Sequence, residues 1–213
     1  MERPILFSGP MVRAILDGRK TQTRRVLKPQ PVPVGGPFYR PSPMVAPREW
    51  HSVSKEGNIV NIQKLPYAEG TELWVREAWR TGIEVEHVKP SEIGYTRPVR
   101  YEADDSVQPD VDGCAKIPTS RFGKLRPGMF MPRWASRITL RVTAVKVERL
   151  QDISEEDALA EGVGIMDPHH PPPPIRATYA EMYRDLWDSI NGPGSWDANP
   201  WVVAYTFERV LPK

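Results

Sequence analysis

A chain of 213 residues, 39% of them hydrophobic and seven of them tryptophan, can build a sizeable core, which excludes wholesale disorder. Its 29 Lys and Arg against 27 Asp and Glu leave a net charge of +2, so any nucleic-acid footprint has to be local. Cys114 is the single cysteine, which excludes an intramolecular disulfide and a cysteine-pair zinc site and points to a reducing, cytoplasmic setting. No stretch approaches the roughly 18–20 apolar residues that cross a bilayer, and Ile5-Leu6-Phe7 is too short for a signal-peptide core.

The first expected element is a short buried strand at Ile5-Leu6-Phe7. Ser8-Gly9-Pro10 reads as a helix start, with a capping hydroxyl and a proline suited to the first turn. Met11, Ala14 and Ile15 follow at helical spacing, and Gly18 closes the helix. The basic run Arg19-Lys20-Thr21-Gln22-Thr23-Arg24-Arg25 comes next. From Pro29 to Trp50 the prolines are too dense for a helix or a central strand, which predicts an irregular surface segment, an insertion over about 29–58. Glu69-Gly70 predicts a turn and Leu73-Trp74-Val75 a strand. A second irregular insertion is expected over about 81–132, with one strand candidate at Val99 to Ala103.

Ile138 to Val147 alternates apolar and polar residues with the period of a half-buried strand. Ser154 reads as the N-cap of a helix with acids in its first turn and Gly162 at its end. Ala177 to Ile190 is amphipathic, with Tyr179, Met182, Tyr183, Leu186, Trp187 and Ile190 along one side. Trp201 to Val210 predicts a last strand. The pattern is that of one α+β domain over 1–213, built as a small barrel with helices and long loops.

Several of these pieces carry a resemblance. Gly18-Arg19-Lys20-Thr21-Gln22-Thr23-Arg24 is similar to the signature run of the ASCH family. Glu69 to Val75, Ile138 to Val147, Leu150 to Gly162 and Trp201 to Phe207 resemble further elements of that family, in its order. Met131 to Arg137 resembles a segment of a longer phage and prophage subgroup. The resemblance implies a PUA-like small β-barrel flanked by helices, and a modified nucleoside or RNA as partner. A small bacterial member is an amidohydrolase of N4-acetylcytidine that works with a Lys, a Thr three residues later and a Glu on the acidic helix. Those positions fall on Lys20, Thr23 and Glu161, which implies proton acceptor, nucleophile and proton donor in that order.

The residues alone leave alternatives open. A Lys base needs a neutral amine, and the neighbouring Arg19, Arg24 and Arg25 push in that direction. The same run also fits a solvated patch complementing a helix C-terminus. Residues three apart share a face only if the chain turns, so cooperation of Lys20 with Thr23 requires a turn after Gly18. Glu161 also reads as ordinary helix surface. Trp74, Arg76, Trp79, Arg133 and Trp134 interleave aromatic and basic groups as base-stacking, phosphate-holding surfaces do, and also as a packed core does; with Arg19, Arg24 and Arg25 they are the candidates for binding substrate or nucleic acid. His169-His170 lacks a third ligand at useful spacing, so neither a metal nor a cofactor is expected. A hydrolase and a non-catalytic RNA or modified-base reader are the two function classes.

Overall fold

A computed structural model describes residues 2–28, 30, 49–53, 59–95, 97–109, 118–164 and 178–211, with 49–53 and 59–64 described through their backbone. The elements in chain order are β1 (Glu2–Leu6), α1 (Gly9–Leu16), β2 (Gln22–Val26), β3 (Glu49–Val53), β4 (Ile59–Lys64), β5 (Glu72–Arg76), β6 (Trp79–Thr81), β7 (Val99–Tyr101), β8 (Val107–Gln108), β9 (Thr139–Arg149), α2 (Glu155–Ala160), α3 (Tyr179–Asn191) and β10 (Trp201–Val210). The fold is mixed α+β. The chain divides into two compact units. One comprises 1–18, 72–141 and 209–213, the other 19–71 and 142–208.

In the first unit β1 runs parallel to β5, with Glu2 opposite Glu72 and Leu6 opposite Arg76. The start of β9 pairs antiparallel with β5, placing Leu140 opposite Leu73. The α1 helix has Pro10 in its first turn, but the Ser8 hydroxyl makes no capping bond, contrary to the sequence expectation. Residues 81–132 carry more structure than their composition predicts. β6, β7 and β8 form an antiparallel sheet, and single 3-10 turns at Gly128–Phe130 and Arg133–Ala135 fold beneath a core. Trp79, Ile93, Val99, Tyr101, Met131 and Ala135 fill that core, with Trp134 packed against it. The apolar residues here are spread too thinly for periodicity to reveal, but enough of them converge to offset the ordering cost.

In the second unit β10 pairs antiparallel with β2, with Tyr205 opposite Thr23 and Ala204 opposite Arg24. β3 and β4 form an antiparallel hairpin, so Glu49 and Trp50 belong to a strand rather than to the irregular segment expected through Trp50. Pro29 and residues 31–48 lie outside the described residues, as do Cys114 and His169-His170. Ser154 caps α2 by accepting from the Asp157 amide. Thr178 and Glu181 make a reciprocal capping box on α3, which satisfies two amides that a helix start leaves open. Leu150, Ile153, Ala158, Val163, Tyr183, Trp187 and Val202 form the core between these helices and the strands.

Among the described residues no closed barrel is found. No helix among these residues is long and apolar enough to cross a membrane.

Candidate functional site

The basic run after Gly18 enters the second unit in extended form. Thr21 donates its amide to the Ala160 carbonyl at 2.9 Å and accepts from the Phe207 amide at 2.8 Å. β2 then begins at Gln22. In a strand, alternate side chains share a face. Lys20, Gln22 and Arg24 therefore fall on one side of this segment, and Thr23 on the other.

Lys20 is 2% exposed and meets Glu161, 141 residues away in sequence. Its ammonium donates to Glu161 Oε2 at 2.7 Å and to the Glu161 carbonyl at 2.9 Å. Glu161 is the C-cap of α2, and the left-handed Gly162 (φ 92°) turns the chain away after it. The lysine thus satisfies a helix-terminal carbonyl, where a cation is also favoured by the helix dipole. Burial lowers the Lys20 pKa below the ordinary lysine value; the Glu161 carboxylate acts the other way and does not recover it.

Arg24 is the hub of the same face, its side chain fully buried. It donates from Nη2 to Glu148 Oε1 at 2.7 Å and to Asp157 Oδ2 at 2.8 Å, and from Nη1 to Glu161 Oε1 at 3.2 Å. The Gln22 side-chain oxygen accepts a further Arg24 donor. The Gln22 amide in turn reaches Asp157 and Thr206, each at 3.2 Å. Lys146 closes the solvent side, with Nζ at 2.7 Å from Glu148 Oε2. Burial opposes the Arg24 charge, but Glu161 and Glu148 outweigh it and hold the guanidinium pKa above its ordinary value. Tyr183 of α3 completes the cluster. Its ring lies 5.9 Å from the Arg24 guanidinium carbon. Burial, and then the Glu161 charge, raise its pKa well above the ordinary phenol value.

Of the three residues carried over by resemblance, the fold brings Lys20 and Glu161 together and sets Thr23 apart. Thr23 is 2% exposed on the opposite face of β2, beside Tyr205, whose ring meets Tyr67 edge-on at 5.1 Å. The segment after Gly18 runs extended into the strand, so the turn that cooperation requires is not made. Arg19 and Arg25 are half-buried in the same unit.

The remaining sequence candidates belong to the first unit. Trp79 is 0% exposed and packs edge-on against Trp134 at 6.2 Å, which makes it a core residue rather than a stacking surface. Trp74 is buried beneath Arg76, whose guanidinium lies 4.6 Å above its ring. Arg133 is exposed and forms a two-pronged pair with Glu2 at 2.7 and 2.9 Å. Among the described residues no three His, Cys, Asp or Glu side chains come together as a metal-holding group.

Gln22, Glu148, Asp157 and Tyr183 were not singled out from the sequence as site residues. Glu148 left a signal. It has the same parity in β9 as the buried Leu140 and Val142, and a carboxylate on a core face demands partners. Gln22 and Arg24 likewise share parity with Lys20. Tyr183 reads as an ordinary member of the apolar stripe of α3, and only packing sets its ring beside Arg24.

No protein-family model matches the chain, and neither a curated protein nor a solved structure matches it.

Proposed function

We propose that this chain is an ASCH-type, PUA-like protein acting on a nucleobase, as an amidohydrolase of an N4-acylated cytidine or a related modified base. The observation that carries the reading is the buried contact between Lys20 and Glu161 at 2.7 Å. One proton transfer across that contact produces both groups that amide hydrolysis needs. A neutral lysine is a base, and a protonated glutamate is an acid. A low-dielectric setting favours this neutral pair relative to the ion pair, and the lowered Lys20 pKa acts in the same direction. Arg24 opposes it by stabilising the Glu161 anion.

In this reading a nucleophile loses its proton to Lys20 and adds to the acyl carbon. The C–N bond then breaks, and the leaving N4 takes its proton from Glu161. The pair ends as ammonium and carboxylate, which is the charge state of a salt bridge. Water is the nucleophile that fits best; support for Thr23 in that role comes from the resemblance alone. The PUA-like barrel likewise rests on the resemblance.

A second reading, a modified-base reader without turnover, is favoured by the placement of Thr23 and by the internal engagement of both Glu161 oxygens. Incubation with N4-acetylcytidine and chromatography for cytidine separates the two. The hydrolase releases cytidine, and Lys20→Ala lowers the rate by about 10²–10⁴-fold. Lys20→Arg fails nearly as badly, because a guanidinium does not accept the proton. Binding of the nucleoside without release of cytidine selects the reader. Absence of both overturns the proposal.

A further inference from the structure

The way Arg24 divides its donors bears directly on the Lys20–Glu161 pair. Asp157 and Glu161 lie one helical turn apart, so α2 and its C-cap present both carboxylates on one face. Glu148 approaches Arg24 from β9. The shortest charged bonds of Arg24 go to Glu148 and Asp157, at 2.7 and 2.8 Å, both from Nη2. Nε adds a bond to the same Glu148 oxygen at 3.0 Å. Glu161 receives a single bond, from Nη1 at 3.2 Å, and Nη1 also serves Gln22. Arg137 in the other unit shows the alternative: it takes Glu77 with two parallel bonds of 2.9 Å. Glu161 is spared that grip, and its Oε2 is left to Lys20 at 2.7 Å. With every group ionised the cluster is balanced, Lys20, Arg24 and Lys146 against Glu148, Asp157 and Glu161.

We infer that Glu148 and Asp157 are positioning residues for the Lys20–Glu161 pair: they hold the charge of Arg24 away from Glu161 and so keep Glu161 able to take the lysine proton. The inference deepens the hydrolase reading and rests on it for its role in turnover. Arg24 keeps its proton at every accessible pH, so its charge acts on whichever carboxylates lie nearest. Once Glu148 or Asp157 is neutral, more of that charge falls on Glu161. A tighter hold stabilises the Glu161 carboxylate and works against proton transfer from Lys20. The uncompensated charge also acts on the ammonium. Burial lowers the Lys20 pKa, Glu161 opposes this, and Arg25 and Arg24 add to the lowering. An unbalanced Arg24 therefore moves the lysine titration further down. Of the other groups facing Arg24, the Tyr183 phenol of α3 is raised by burial and stays neutral across the working range. Lys146 sits at the solvent edge, 2.7 Å from Glu148.

The test compares wild type with Glu148→Gln, Asp157→Asn and the double variant Glu148→Gln/Arg24→Gln. Two readings are taken, hydrolysis of N4-acetylcytidine against pH and an NMR titration of the Lys20 ammonium. Each single variant should lower kcat about tenfold or more with KM unchanged, since one uncompensated charge nearby shifts a proton equilibrium by about a unit or more. The alkaline limb of kcat and the Lys20 titration should both move to lower pH. The double variant removes the Arg24 charge together with that of Glu148 and restores the balance. It should regain most of the lost rate and bring the Lys20 titration back toward wild type. A purely structural role predicts the reverse, a double variant worse than the single one. Asp157 is the more exposed of the two carboxylates, so Asp157→Asn keeps the test open where Glu148→Gln does not fold. Unchanged kcat or an unchanged Lys20 titration in the single variants overturns the inference, as does a double variant worse than Glu148→Gln. If wild type releases no cytidine, the hydrolase reading fails by itself and the Lys20 titration decides. A downward shift in Glu148→Gln that the double variant reverses then upholds the inference, and no shift overturns it.

Discussion

Each unit of the molecule buries an ion-pair cluster, and the two are built from different cations. In the first unit Arg137 grips Glu77 with two parallel bonds of 2.9 Å each and reaches Asp104 at 2.9 Å, while stacking 4.0 Å over Tyr101. Every cation there is a guanidinium, which stays protonated at any accessible pH. Such a cluster ties Arg137 to Glu77 and Asp104 with a cation that keeps its proton. In the second unit Arg24 plays the equivalent part toward Glu148, Asp157 and Glu161, but Lys20 is added at the end of the chain of charges. A lysine can lose its proton where it is buried. The comparison teaches that a buried charge network is by itself no sign of function; a titratable cation inside one is what the proposed hydrolysis would use.

The largest expected effect comes from deleting the two hubs. Arg24→Met leaves three carboxylates around an apolar side chain and should cost about 3–5 kcal/mol, the range for breaking a buried pair. Arg137 is 17% exposed and its partner Asp104 30%, although Glu77 is buried, and Arg137→Met is expected at the lower end, about 3 kcal/mol. Urea denaturation gives both values. Hydrogen exchange shows whether each substitution loosens its own unit, and equal losses in both units would break the comparison.

The clusters should also differ in the pH range over which they change stability, acidic for the carboxylates of the first and alkaline for Lys20 of the second. Burial raises the Glu77 pKa above the carboxylate value, with Arg137 opposing, so the folded chain holds that proton longer than the unfolded chain. Stability from Glu77 is present below the ordinary value of about 4.3 and is lost as pH rises through its folded pKa. Asp104 works oppositely. Burial would raise it, but Arg137 and Ser106 lower it overall, so its contribution is lost as pH falls. Burial lowers Lys20, so the unfolded chain binds that proton more readily. Stability therefore rises with pH from the folded Lys20 pKa toward the ordinary lysine value of about 10.4. Above about pH 10 the raised tyrosines Tyr101, Tyr183 and Tyr205 oppose this. Denaturation at stepped pH below 10 should show the alkaline rise in wild type and its loss in Lys20→Met. A rise that persists in Lys20→Met would remove the distinction drawn between the two networks.

The smallest effects belong to helix caps. Ser154→Ala and Thr178→Ala each remove a bonded cap in the second unit and should cost about 1 kcal/mol. Ser8→Ala in the first unit removes a hydroxyl that makes no cap bond and should fall within about 0.5 kcal/mol of wild type. Thermal denaturation of the three variants sharpens the contrast between residues that look alike as letters.

The sequence by itself determined the elements whose information is local. β10 spans Trp201 to Val210 as expected, the Ser154 cap lies where its acidic first turn put it, and α3 begins and ends close to its amphipathic run. These follow from periodicity, capping side chains and glycine stops, each read within a few residues. Lys20 and Glu161 were legible as candidates because a resemblance named them, not because residues 141 apart announce a contact. Tertiary structure alone decided the rest. The order and core of residues 81–132 depend on Trp79, Ile93, Tyr101 and Met131 converging from distant turns, which no local period encodes. The separation of Thr23 from Lys20 was decided by where β2 begins. Once the Thr21 carbonyl and Thr23 are tied into the ladder with β10, the chain is extended, and one residue of strand parity sends a side chain to the far face.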